Sequence, residues 1–298
     1  MTLGAIFCFK IRTSPRIMQI TNTAFIIPIH PPHYHYLYNL IWKLERSNIQ
    51  IDLFLVFSHK EDFESFNFKT SIKPIIVSNM PEWTEKQSPI VIFKTYYALK
   101  QLMNSSYDYF IVCDSEIDII PQNLTNENVT DKITSIFANK NVYSGDTSDN
   151  SHGSTLCQEV LRKSAEVFNA SDRERLGLMT KDFTQFIWWS DIPVFRRADL
   201  DKFFARIDEQ AVSWHAFNHI VYLYFLMLTD DFKLIDTTCV TNMRWSLEHP
   251  NIVYTETMID ELSKLGVGFG WVVNKSFLTA KDYFINNKKT FIVYHLDR

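Results

Sequence analysis

Four apolar stretches in the first 114 residues constrain the fold more than any other feature of the chain. They read TAFIIPIHPP at 23–32, IDLFLVFS at 51–58, KPIIVSN at 73–79 and YDYFIVCD at 107–114. Each is short and rich in β-branched and aromatic residues, as strands are. After the first comes YHYLYNLIWKLERSN, where Tyr34, Leu37, Tyr38, Ile41 and Leu44 recur at helical spacing. Before the fourth comes IVIFKTYYALKQLMN (90–104), a second expected helix. Strands alternating with helices imply βα units and a mostly parallel sheet. Unbroken apolar runs such as YFIVC are what strands covered on both faces require. The expected fold is therefore α/β, a mostly parallel sheet flanked by helices.

Further along, YSGDTSDNSHGST (143–155) reads as a polar loop, and residues 156–176 look helical and charged. DFTQFIWWSDIPVFRRADLDKFF (182–204) holds a short aromatic strand, a proline and a helix starting near Ala198. SWHAFNHIVYLYFLML (213–228) predicts a buried helix. It is shorter than a membrane span and contains His215 and His219. FKLIDTT (232–238) and the TFIVY of KKTFIVYHLDR (288–298) predict strands. One compact domain with a later subdomain is the simplest organisation.

Several function classes are excluded early. The net charge of −4 leaves no basic footprint for nucleic acid. Cys8, Cys113, Cys157 and Cys239 form no C-x-x-C pair, so neither a zinc ribbon nor a disulfide framework is expected. That cysteine usage fits a reducing compartment, and a cytoplasmic location is expected, with a peripheral position at a membrane as the alternative. The opening MTLGAIFCFKIRTSPR places its apolar run before its charges, the wrong order for a signal peptide. Residues 1–22 read as an N-terminal extension, with Met18 an alternative start. No G-x-S-x-G and no Walker A sequence is present, and GVGFGW (266–271) lacks the strand–turn–helix setting of a dinucleotide site.

The chemistry gathers where the fourth strand ends. YDYFIVCDSEIDII carries Asp114, Glu116 and Asp118 two residues apart. If the backbone stays extended, all three point one way. Ligands of open α/β sheets bind beyond the carboxyl ends of strands. Two carboxylates there suit a hard cation, Mn²⁺ or Mg²⁺, which could bridge the phosphates of a nucleotide diphosphate. The competing reading is a solvated strand end. Lys94, on the preceding helix, offers an ammonium to a diphosphate or simply a solvated helix charge. Pro28 and His30 end the first strand, where a base or ribose would rest. HPPHYH, with His33 and His35, also suggests zinc, but no cysteine accompanies it and the prolines break helical spacing.

YDYFIVCDSEIDI resembles the metal-binding D-x-D strand of glycosyltransferases of the GT-A (Rossmann-like) fold. IFKTYYALKQL resembles the helix before that strand, FIIPIHPP the first strand, and FIWWSDIPVFRRADLDKFF the acceptor-side segment. The resemblance runs from about residue 23. It implies a nucleotide-binding half (23–120) and an acceptor-side half (121–298) of a single compact domain. It implies a donor that is a nucleotide-diphosphate sugar, with UDP the commonest carrier, and a glycan or glycoconjugate acceptor. It places the ribose or a metal-bound water on Asp114, the metal on Asp114 and Glu116, and a third metal ligand on His295. Here D-x-E replaces D-x-D, and glutamate's longer arm changes the geometry.

An inverting transferase needs a base for the acceptor hydroxyl. Asp191, after WW, is the candidate, with Asp182, Asp149 and Asp146 as rivals and a turn cap as its structural alternative; a retaining mechanism needs none. Two other functions compete. A nucleotidyltransferase uses a similar sheet but carries a Gly-rich basic loop that PIHPPHYHY is not. A non-enzymatic carbohydrate-binding relative would keep the fold and lose the metal.

Overall fold

The computed structural model describes residues 22–47, 49, 51–68, 72–78, 90–122, 124–145, 152–181, 185–186, 194–236, 257, 272–273 and 293–295. Its main sheet has five strands in the order β3-β2-β1-β4-β8. These are β1 (Thr23–Pro28), β2 (Asp52–Phe57), β3 (Lys73–Ile76), β4 (Tyr109–Val112) and β8 (Val194–Arg196). The first four run parallel and β8 joins antiparallel to β4. This is the mixed, mostly parallel α/β sheet expected from the apolar runs.

Side chains alternate along each strand and feed two cores. Ala24, Ile26, Phe54, Val56, Phe110 and Val112 face one way. They pack with α3 (Ile90–Leu102), α7 (Leu200–Arg206) and α8 (Asn218–Thr229). Phe25, Ile27, Leu53, Leu55, Phe57 and Ile111 face the other. They meet α1 (Tyr34–Arg46) and α4 (Asn126–Asn139). Helices on both faces explain why these strands show no polar alternation. Helix α1 presents Leu37, Leu40 and Ile41 to the sheet, a spacing of three and four residues. Pro31 and Pro32 open the 3₁₀ turn before it, where a missing N–H costs least.

Two three-stranded sheets flank the main one. In the first, β10 (Val272–Val273), β11 (Val293–His295) and β5 (Ile117–Ile119) lie side by side. In the second, β6 (Asn141–Gly145) sits between β7 (Gln185–Phe186) and β9 (Lys233–Asp236). The remaining described helices are α2 (Lys60–Ser65), α5 (His152–Glu166) and α6 (Ala170–Thr180).

The helical, charged stretch 156–176 falls into two helices: α5 ends at Glu166, and Asn169 caps α6 by accepting from the Asp172 N–H at 3.0 Å. The helix expected near Ala198 is found there, a 3₁₀ turn over Arg197–Asp199 running into α7 at Leu200. Two expectations need correction. The helix expected from residue 213 begins at Asn218, because Phe217 is extended at its cap. Most consequentially, the chain does not stay extended from 114 to 118. It bends at Ser115 and Glu116, so β4 and β5 belong to different sheets. No helix among the described residues is long and apolar enough to cross a membrane.

Candidate active site

The strand order reverses between β1 and β4. Strands β2 and β3 follow outward from one side of β1, while β4 lies on the other. At such a switch point the connections leave in opposite directions and open a crevice beyond the carboxyl ends. The ladder shows where it opens. Pairing of β1 with β4 ends at Ile26 and Val112, and Cys113 N–H donates to the Ile26 carbonyl at 3.0 Å. On the other side pairing continues, with Pro28 opposite Val56 and Ile29 N–H donating to the Val56 carbonyl at 3.2 Å. Backbone groups of alternate residues point to the same side of a strand. Pro28 would therefore aim its N–H at β4, where β4 has already turned away. A proline forfeits nothing there.

Lys94 lies beneath this opening. It comes from α3, is 2% exposed, and its Nζ donates to the Ile29 carbonyl at 2.5 Å. Burial lowers its pKa to about 8, opposed weakly by Asp62. A buried ammonium against the end of β1 is not the solvated helix lysine that competed with the functional reading. His30, exposed at the rim, has its pKa lowered by partial burial and then by His33 and Lys94, with Glu116 pulling the other way.

The acids divide into two roles. Asp114 is exposed just past the end of β4. Its charge adds to burial in pushing the Cys113 thiol up. Glu116 is drawn to the β1 side: its Oε2 lies 3.0 Å from His33 Nδ1 and accepts from the Ser115 hydroxyl at 2.8 Å. Asp118 turns away. Its carboxylate is buried, takes a hydrogen bond from Asn39 at 3.0 Å and a close ion pair from Lys43, both on α1. It also accepts the Ile119 N–H at 2.8 Å. The expectation that three acids share one face fails at the bend, and Asp118 ties β5 to α1.

Among the other candidates, Pro28 is buried as the last residue of β1. His295 ends β11, which pairs antiparallel with β5 so that the backbone of His295 lies opposite Ile117, the residue after Glu116. Asp191 and its rivals Asp182, Asp149 and Asp146 lie outside the described residues, as do GVGFGW and residues 1–21. His215 precedes α8, and His219 lies in its first turn. Burial lowers the His219 pKa to about 4, and its Nε2 has no partner among the described residues. His33 and Ser115 are the residues that sequence reasoning did not select. The signal was present in HPPHYH and DSE, two polar clusters at neighbouring strand ends.

The described donors suit a hard cation only in part. No group of three or more His, Cys, Asp or Glu that could hold a metal ion occurs among the described residues. Two carboxylates leaving the rest of the shell to phosphate and water is the manner in which Mg²⁺ is commonly held, so the donor chemistry fits a metal carried with a nucleotide.

No protein-family model and no curated protein matches the chain. Among solved structures, S. aureus TarS 1-349 is similar with 13% identity and a TM-score of 0.36, over 68% of this chain and 54% of that one. The same fragment in complex with UDP gives 14% and 0.36, over 68% and 54%. In complex with UDP-GlcNAc it gives 13% and 0.35, over 82% and 65%. The chain thus spans between about half and two thirds of the length of these structures. At that level of likeness, the function has to be argued from the chain's own residues.

Proposed function

We propose that the chain is a glycosyltransferase of GT-A type, dependent on a divalent metal, that takes its sugar from a nucleotide diphosphate. The observation that carries this reading is the grouping of charged side chains at the switch point. There an exposed Asp114 and a half-buried Glu116 leave β4 opposite the His30 rim of β1, above the buried ammonium of Lys94. Carboxylates past the end of β4 and the Lys94 ammonium against the end of β1 suit a ligand that brings both a cation and a polyanion. Asp114 and Glu116 would hold Mn²⁺ or Mg²⁺, with His295 as a further donor from the strand beside β5. When bound, the ion would offset charge developing on the leaving diphosphate. Pro28 and His30 would border the nucleoside, Lys94 would face the phosphates, and Asp114 would also reach the ribose or a metal-bound water. UDP is the carrier to test first. A glycan or glycoconjugate hydroxyl would attack the anomeric carbon, with Asp191 as the proposed base.

The test is calorimetric titration of UDP with Mn²⁺, then with EDTA, on the wild type and on Glu116→Ala. The expected result is binding that requires the metal and weakens by about 100-fold or more in the variant, as loss of a charged contact does. Binding equal with Mn²⁺ and EDTA, or unaltered in the variant, would reject a metal site on these acids. Transfer from UDP-sugars to water or to glycan acceptors then identifies the donor.

A further inference from the structure

His33 joins the two strand ends. It closes the 3₁₀ turn after β1, and its Nδ1 lies 2.6 Å from Ser115 Oγ and 3.0 Å from Glu116 Oε2. The Ser115 hydroxyl donates to the same Glu116 oxygen at 2.8 Å. Counting protons assigns each bond. A serine hydroxyl has one proton, here directed at the carboxylate, and an ionised carboxylate only accepts. Nδ1 therefore supplies a proton of its own to the two oxygens. An Nε2–H ring would instead face its Nδ1 lone pair toward carboxylate lone pairs. With the serine proton on the carboxylate, a neutral ring makes both contacts as the Nδ1–H tautomer. The ring is also braced against His30, centroids 4.0 Å apart, and Tyr36, 5.7 Å.

Building on the metal–diphosphate reading of the site, we propose that His33 is the positioning residue of the acid pair. Its Nδ1–H aims the Glu116 carboxylate and pins the bend between β4 and β5 to the end of β1. It acts through Glu116 and not on the substrate. Ser115, 4% exposed, completes the clamp from within the bend. Polar partners that orient a ligating side chain are worth roughly 10–100-fold in metal affinity.

Asparagine places its amide nitrogen where Nδ1 stands, and glutamine places its own nearer Nε2. The experiment measures Mn²⁺-dependent UDP binding by the full chain carrying His33→Asn, His33→Gln or His33→Ala, with melting temperatures alongside. His33→Asn is expected to stay within about threefold of wild type, while Gln and Ala weaken binding roughly 10–100-fold at unchanged melting temperature. Full affinity in His33→Ala while Glu116→Ala abolishes binding would overturn the proposal, as would equal losses in Asn and Gln. A second readout needs no nucleotide: ¹⁵N NMR of the neutral histidine rings. It is expected to show His33 as the Nδ1–H tautomer, with the preference lost in Glu116→Ala, which removes the acceptor and frees the Ser115 proton for Nδ1. If the wild type binds no metal–UDP, the reading of the site fails by itself and the tautomer judges the clamp: Nδ1–H upholds it and Nε2–H overturns it.

Discussion

At the amino ends of the parallel strands, Asp52, Lys73 and Tyr107 satisfy one another. Lys73 donates to Asp52 at 2.6 Å and to the Tyr107 hydroxyl at 2.9 Å, and Tyr107 donates to Asp52. The charges balance, and the cluster spans the start of β1 from β2 and β3 to β4. At the carboxyl ends of the same strands the arrangement is less economical. Lys94 is buried with its ammonium on the Ile29 carbonyl, His30 stands exposed between charges of both signs, and Asp114 is exposed. One edge ties its strands together through paired charges, while the other keeps a buried ammonium and an exposed carboxylate just beyond the strand ends. Charged groups gathered beyond the carboxyl ends of parallel strands are the ones to assign to a ligand.

Asp118 should give the largest effect when the comparison is tested, because it resembles the amino edge while sitting two residues from Glu116. Asp118→Ala leaves the Lys43 ammonium without its buried partner and is expected to cost about 3–5 kcal/mol in denaturant unfolding. Glu116→Ala should leave stability within about 1 kcal/mol, as partly exposed substitutions generally do. If the two acids cost the same, the division of roles at the bend is wrong.

Lys94 comes next. Its folded pKa of about 8 lies below the ordinary 10.5, so between these values the unfolded chain holds a proton that the folded protein has released. Stability contributed by this group therefore rises with pH through that window, by about 3 kcal/mol in total. Buried tyrosines such as Tyr96 and Tyr222, with raised pKa values, act in the opposite direction near the top of the window. The quantity to measure is therefore the stability difference between wild type and Lys94→Met at each pH. A flat difference from pH 7.5 to 10.5 would mean the ammonium is not buried as described.

The smallest effect is expected at the amino edge. Burial alone would raise the Asp52 pKa, but hydrogen bonds from Lys73 and Tyr107 outweigh it and hold it below the usual value. The stabilisation is present at neutral pH and is lost as pH falls through the carboxylate range. Both charged side chains are about half exposed, so Asp52→Asn should cost less than about 1 kcal/mol and leave nucleotide binding unchanged. A change in UDP affinity would erase the distinction between the edges.

Strands β1 to β4 and helices α1 and α3 were legible because apolar runs and helical spacing record burial directly. The bend at Ser115 and Glu116 was not. It contains neither glycine nor proline, so DSEID reads as continued alternation, and Asp118 meets Lys43 and Asn39 across separations of 75 and 79 residues. The break between α5 and α6 was readable in principle, since NASD offers a capping asparagine. Helix α4 went unnoticed because TNENVT is polar, although Thr125 caps it by accepting from the Asn128 N–H at 3.1 Å. At the site, residue types showed which strand ends matter. Only the fold could show that His33 reaches Glu116, because sequence spacing says nothing about which loops meet.

The pairing of β5 with β11 also sets an order of events. During synthesis, β1 to β4 can associate once residue 112 has emerged, but Ile117–Ile119 must wait for Val293–His295. Contacts so far apart in sequence form late. A nascent chain would thus hold a nearly complete sheet well before the strand beside its acids arrives, so that sheet and site would mature on different clocks.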